Sequence, residues 1–348
     1  MHSNDIYIDS IGVRLGRSID LADAVADGRY SASEYQANGL LRAVVSDDEF
    51  APDMTIAAVR QAMGRGSAAA ADVRLMLHAS TYFQGQDVWT PASYIQQHTI
   101  GGRATSIEVD QKSNGGLASL SLGVAYLAAC DDDAAVLLTT GERFCEPGWD
   151  RFRSESGTVM ADGGTAAVLT RRPGFARVLS TVMISDPTLE EMYRGDGLRD
   201  AAAPSDKPLN MRTRKKKFMR GRVHELENIS RQIAGGVGDC MMEALAESKT
   251  EVADVKSFVL PNVGLTVLWW SMLRDMGVGQ ERTTWEFGRN IGHLGSGDQI
   301  AGLNHLVEAR ALEPGDRVVL AGSGYGFNWG CTVVEILGAP KWSTTPSA

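Results

Sequence analysis

Thr105-Ser106-Ile107-Glu108-Val109-Asp110-Gln111-Lys112-Ser113-Asn114-Gly115-Gly116-Leu117-Ala118 runs from a short β-rich segment into a small-residue helical pattern. A strand therefore ends near Asp110 and a helix begins near Gly115, with Ser113 at the corner. A side chain there points out of the fold at a helix N-terminus, where unpaired N–H groups favour developing negative charge. That setting suits a nucleophile whose substrate becomes an oxyanion. Taken alone, the segment also fits an N-capping serine, a common residue before helices.

Outward from this corner the same grammar repeats. Leu117–Ala129 is an apolar run of helix length, flanked by the buried-strand patterns Val73–His78 and Ala134–Thr140. Ala161–Leu169 reads as a glycine turn feeding another strand, and Ile6–Val13 as an opening strand. Helical patterns lie at Leu21–Ala26 and Met54–Met63. Around Ala176–Ile184 the pattern restarts, with a helix at Arg231–Glu247, a strand at Val255–Leu260, a helix at Gln299–Leu312 and a closing strand–turn–strand through Arg317–Ile336. Residues 186–223 form a polar, basic excursion. Strands alternating with helices imply a sheet covered on both faces, and the two similar halves imply a duplicated α/β unit, divided as 1–175 and 176–348.

The chain has 348 residues, 43% hydrophobic and 22% charged, the proportions of a soluble globular protein larger than one ordinary core. A net charge of −9 argues against general nucleic-acid binding. No apolar run reaches the length of a membrane span, and no basic-then-apolar leader opens the sequence. Cys130, Cys145, Cys240 and Cys331 are scattered without a CxxC pair, so a cytoplasmic protein with free thiols and no metal site is expected.

A second unusual stretch is Asn290-Ile291-Gly292-His293-Leu294-Gly295-Ser296-Gly297-Asp298. Glycines around His293 mark a closely packed loop, and Asp298 opens the next helix. The loop can swing the imidazole back onto the carboxylate, which fixes its tautomer and leaves the other nitrogen free to take a proton. A first-turn Asp favoured by the helix dipole beside a merely packed His is the other reading. The glycine turn Gly322–Gly330 is a third candidate, able to aim a backbone N–H at a substrate oxygen, although hairpin turns of this sort are ordinary. No GxSxG, GxGxxG or Walker pattern is present.

Together, the corner at Asp110–Gly116, the Ala161-Asp162-Gly163-Gly164-Thr165-Ala166-Ala167-Val168-Leu169 segment and the ending Gly324-Tyr325-Gly326-Phe327-Asn328-Trp329-Gly330 resemble the thiolase superfamily, specifically its ketoacyl-carrier-protein synthase III group, over nearly the whole chain. The resemblance implies a duplicated α/β/α/β/α layered fold and a homodimer. The family's nucleophilic cysteine falls on Ser113, its histidine on Asn262 and its asparagine on His293. This exchange, with the extra acid Asp298, is similar to the synthase III-like acyltransferases of polyketide and other natural-product pathways. The serine version resembles starter-unit proteins of the kind found in the daunorubicin pathway.

By that likeness Ser113, His293 and Asp298 form a triad, the N–H groups of Ser113 and Tyr325 hold the oxyanion, and Asn262 lines the site. The substrate is an acyl thioester of coenzyme A or of a carrier protein's phosphopantetheine, with no permanently bound cofactor. The acyl group passes through acyl-Ser113 to a carrier protein or small-molecule acceptor. The competing expectations are a starter-unit synthase condensing with malonyl carrier protein, and a starter-specificity subunit without chemistry. The basic run Arg212, Arg214, Lys215, Lys216, Lys217, Arg220 and Arg222 reads either as a docking patch for a carrier protein or coenzyme A phosphates, or as a solvated loop. Trp89, Tyr94 and Met160 are candidates to line a substrate tunnel.

Overall fold

The computed structural model describes residues 5–130, 133–195, 208–268, 270–340 and 342. Its strands are β1 (Tyr7–Leu15), β2 (Arg17–Asp20), β3 (Arg42–Val45), β4 (Val73–Ala79), β5 (Thr105–Val109), β6 (Ala135–Glu142), β7 (Gly163–Thr170), β8 (Ala176–Ser185), β9 (Val255–Val259), β10 (Arg317–Gly324) and β11 (Asn328–Ile336). Nine of them join in the order β5-β4-β6-β7-β1-β8-β11-β10-β9, while β2 and β3 pair as a separate ribbon. The helices that shape the site are α1 (Ala51–Arg65), α2 (Gly115–Leu127), α3 (Met211–Met219), α4 (Leu226–Glu247) and α5 (Asp298–Glu308).

The sheet reads alike from the β1–β8 seam outward. β1 pairs with β7 and β8 with β11, both antiparallel. Beyond them β7–β6 and β11–β10 are antiparallel, and β6–β4 and β10–β9 parallel. The seam itself is short, joining Tyr7 to Arg177 and Ile8 to Ala176, and β1 shifts register just after it. This is the expected duplicated α/β fold. Every residue of β6 and β7 is buried, as continuous apolar runs covered on both faces require.

The outer layers are α1, packed on β1, β7 and β6, and α4, packed on β11, β8 and β10. The middle layer is α2 and α5, each touching strands of both halves. Small residues let α2 fit there: Gly115, Gly116, Ala118, Ser119 and Gly123 are buried along it. Gly116 makes the closest approach, since a Cβ on it would lie 2.3 Å from the Ser296 carbonyl oxygen. The start of α2 is thus pressed against the 295–297 turn that leads into α5.

Several helix limits differ from the pattern in the sequence, two of them by more than three residues and with a plain cause. α4 starts at Leu226, because buried Ile229 continues its apolar stripe toward the N-terminus through a polar stretch. α5 stops at Glu308, short of Leu312, because Arg310 adopts φ of +55° and ends the helical backbone. Among the described residues, no helix is long and apolar enough to cross a membrane.

The α2–turn contact has a direct test. Gly116→Ala forces backbone against backbone, and the expected loss of unfolding free energy is about 1–3 kcal/mol by overpacking. Denaturant unfolding measures it; an unchanged midpoint would show that the two segments are not in close contact.

Candidate active site

Three loop segments converge where the two halves meet. The first is the corner after β5, which becomes a single turn of 3-10 helix, Lys112–Asn114, running into α2. Lys112 has φ of +50°, a conformation a side chain rarely adopts, and it places Ser113 at the head of α2. Ser113 is 7% exposed. It does not cap the helix with its side chain; its Oγ lies 2.8 Å from His293 Nε2 instead.

The second segment carries that histidine. His293 N–H donates to the Val159 carbonyl at 2.9 Å, and Ala161 N–H donates to the His293 carbonyl at 2.9 Å. Gly292, at φ of +80°, brings the loop within reach of Val159. On the far side of the ring Nδ1 lies 2.6 Å from Asp298 Oδ2. The fully buried Asp298 also accepts from the N–H groups of Leu294, at 2.8 Å, and Asn262, at 2.8 Å. A carboxylate fixed by main-chain donors leaves Nδ1 as the protonated nitrogen and Nε2 as the acceptor for the Ser113 hydroxyl. Burial by itself pulls the imidazole pKa down; the Asp298 carboxylate, helped by Glu142 and Glu155, outweighs it and leaves His293 above its usual value.

The third segment is the turn between β10 and β11. A Cβ on Gly324 would meet the Gln111 carbonyl oxygen at 2.1 Å, so this turn sits directly on the serine corner. Asn114 Nδ2 donates to Asn328 Oδ1 at 2.9 Å, and Asn328 Nδ2 donates to the Tyr325 carbonyl at 3.1 Å. These bonds tie the residue after Ser113 to the turn that presents Tyr325. Ser113, His293, Ser323, Gly324 and Tyr325 share one cavity of about 510 Å³.

The other sequence candidates distribute differently. Asn262 acts on the site through its main chain, holding Asp298; its side chain packs against Gly288 rather than reaching substrate space. The basic run is not one surface. Arg212 pairs with Glu34 at 2.8 Å, Arg214 donates to the Tyr193 carbonyl at 2.7 Å, Lys215 turns inward onto Glu155 at 2.8 Å, and Arg222 reaches Glu191 and covers the Phe218 ring. Lys216, Lys217 and Arg220 face solvent. Trp89 and Tyr94 pack on each other around a separate surface hollow, and Met160 is buried with Phe144 and Trp149.

Glu142 was not foreseen. It ends β6 fully buried, and burial pushes its carboxyl up to about 7 against the donors that surround it. Its Oε1 accepts from Thr81 N–H at 2.6 Å, Ser296 N–H at 3.1 Å and Ser296 Oγ–H at 3.0 Å. It therefore clamps the turn that follows His293. An acid closing a run as apolar as Ala134–Thr140 was the signal for it. Among the described residues, no group of three or more His, Cys, Asp or Glu side chains gathers to hold a metal ion.

A family model for the C-terminal part of 3-oxoacyl-[acyl-carrier-protein] synthase III matches residues 245–336. The solved structure of ChlB3, described as an acyltransferase, is 32% identical over 97% of this chain and 100% of its own, with a TM-score of 0.90. The chain belongs to the ketoacyl-carrier-protein synthase III-like family of the thiolase superfamily. Members of this family are transferases. The β-ketoacyl-[acyl-carrier-protein] synthase III of Clostridium perfringens strain SM101 is 20% identical over 301 residues, covering 86% of this chain and 88% of the relative. The priming β-ketosynthase of the R1128 polyketide pathway shares the fold at 18% identity, with a TM-score of 0.77 over 97% of this chain and 98% of its own.

The site predicts a pH profile. A base must be neutral to act, so Ser113 acylation rises with pH through the elevated His293 pKa and then levels. Asp298→Asn removes the carboxylate that raises it. The acid limb then moves to lower pH and the plateau falls about 10²-fold or more. Acylation rates across pH in both proteins check this; an acid limb that stays put would separate Asp298 from the titration.

Proposed function

We propose that this protein is an acyltransferase of a polyketide or other natural-product pathway, acting through an acyl-Ser113 intermediate. The observation that carries this reading is the Ser113 Oγ–His293 Nε2 distance of 2.8 Å, backed by Asp298 on the other ring nitrogen. Ser113 attacks the carbonyl carbon of a thioester while His293 takes the hydroxyl proton. The oxyanion that forms is held by the N–H of Ser113 at the head of α2, where the helix dipole also favours it, and by the N–H of Tyr325 from the turn between β10 and β11. The C–S bond then breaks, the thiolate takes the proton from His293, and the acyl group remains on Ser113. An acceptor hydroxyl, thiol or amine gives its proton to His293, attacks the ester, and Ser113 recovers its hydrogen.

A His–Asp pair favours this outcome over condensation. Decarboxylative carbon–carbon bond formation needs neutral donors around an enolate; a protic acceptor needs a base. ChlB3, with its acyltransferase description, supports the same choice, and the R1128 priming ketosynthase supports a polyketide setting. The narrower likeness to daunorubicin-type starter-unit proteins rests on Ser113 and the His293–Asp298 exchange. The thioester donor is coenzyme A or a carrier protein, for which exposed Lys216, Lys217 and Arg220 offer a small cationic docking face.

A homodimer belongs to this proposal. The edge strand β5 has one unpaired side and exposes Ile107, and α2 beside it exposes Leu122 and Tyr126. Open edges with apolar residues are covered in stable proteins.

Two measurements follow. Brief incubation with a panel of acyl-CoA thioesters and acyl carrier protein should add one acyl mass to the Ser113 peptide and none in Ser113→Ala; release of carbon dioxide with a 3-oxoacyl product would favour condensation instead. Sedimentation should give a dimer that Ile107→Asp converts to monomer, and a monomeric wild type would remove the dimer from the proposal.

A further inference from the structure

The cavity above Ser113 is unevenly lined. Met192, Met219, Ile229 and Ile233 form an apolar wall, whereas Glu155, Thr158 and Lys215 are polar residues in the same lining. Glu155 is 4% exposed. Its Oε1 accepts from Lys215 Nζ at 2.8 Å, and its Oε2 accepts from the Tyr325 hydroxyl at 3.1 Å. The Lys215 ammonium also lies 5.1 Å from the centre of the Tyr193 ring, which stacks on Tyr325. With its Lys215 side chain 29% and its Glu155 side chain 5% exposed, the pair is largely withdrawn from water; that is costly, and hydrophobic residues of like volume usually serve packing as well or better. Its presence calls for a reason other than stability.

Two features point to a ligand oxygen. Lys215 carries three N–H donors, of which Glu155 and the Tyr193 hydroxyl engage two, and the lysine lines the cavity. Thr158 lines the cavity too; its hydroxyl oxygen is shut off from solvent and has no hydrogen-bond partner among the described residues, so a turn about its side-chain bond is what brings it to a ligand oxygen. A plain hydrocarbon chain drawn past Lys215 would strip its ammonium of water and give nothing back, and it would leave the Thr158 hydroxyl without a partner. The charges of Lys215 and Glu155 cancel, so a second carboxylate on the ligand would meet no surplus of positive charge. A neutral oxygen meets both conditions.

We propose that Lys215 and Thr158, with Glu155 holding the lysine, form a subsite for a neutral hydroxyl or ketone oxygen on the acyl group, so that the preferred donor is an oxygenated acyl thioester. The assignment rests on the acyl-Ser113 reading above. Glu155 also holds Tyr325, so the subsite and the oxyanion turn share one carboxylate.

The experiment compares rates of Ser113 acylation, read by intact mass, for butyryl-, hexanoyl- and octanoyl-CoA and for their hydroxy and oxo counterparts of the same chain length. The wild type should prefer the oxygenated member of a pair by about tenfold or more, since sites built to bond a substrate oxygen reject its absence strongly. Lys215→Met should bring the ratio toward one, and Thr158→Val, which keeps shape and loses only the hydroxyl, should lower it severalfold. Thr158→Val carries the test if Lys215→Met does not fold. Equal rates for both classes in the wild type, or a preference that neither variant changes, would overturn the subsite while leaving acyl-Ser113 intact. Failure of every thioester of both classes to acylate Ser113 would overturn the acyl-enzyme reading and the subsite together.

Discussion

The Asp298 carboxylate, out of reach of water, has its two oxygens committed before any substrate arrives. One accepts from Leu294 N–H; the other accepts from Asn262 N–H and the His293 ring. Removing a carboxylate from water is tolerable only when its lone pairs are met by charge-assisted bonds. Here the partners come from the His293 loop and from the segment after β9, so satisfying the acid also docks those segments on α5. The imidazole is one of the required donors, and its orientation follows from that need. Nε2 is thereby already aimed at the Ser113 hydroxyl, with little reorganisation left for the proton transfer proposed above.

The same economy extends outward. Glu142 collects the N–H of Thr81 and both donors of Ser296, binding β6 and the loop after β4 to the turn behind His293. Gly116 allows α2 to touch that turn, which brings the positive end of a helix to the serine. Asn114 and Asn328 fasten the Tyr325 turn to the serine corner. Three loops from two repeated halves thus meet through buried polar bonds rather than through hydrophobic contact alone. Buried polar networks of this kind restrict the arrangements the loops can take.

Much of this was legible in the residues. The runs Val73–His78 and Ala134–Thr140 and the small-residue helix after Ser113 appear as expected: apart from Arg74 in β4 and the outer side of α2 they are buried, and elements covered on most sides are mostly apolar. The Ser113, His293 and Asp298 constellation was reached from glycine spacing and family pattern. What stayed hidden depends on which way a long side chain turns. Lys215 sits within a run of cations that looks uniformly solvated, yet helix α3 sends it into the cavity while Lys216 and Lys217 remain outside. Glu155 lies in an unremarkable Ser-Glu-Ser segment, and only a partner 60 residues away gives it meaning. Asn262, expected to line the site, meets it through a backbone N–H that donates to Asp298. Contacts of that range are set by tertiary packing, which local pattern does not encode.

The central claim is that the Ser113 hydroxyl is made reactive by His293. A fluorophosphonate probe reports this without any knowledge of the natural acyl group, because it reacts with serines whose proton is being removed. The account predicts stoichiometric labelling of Ser113, slowed about 10²-fold or more in His293→Ala. Labelling of Ser113 at the same rate with and without the imidazole, or no preference for Ser113 over the other serines, would contradict it.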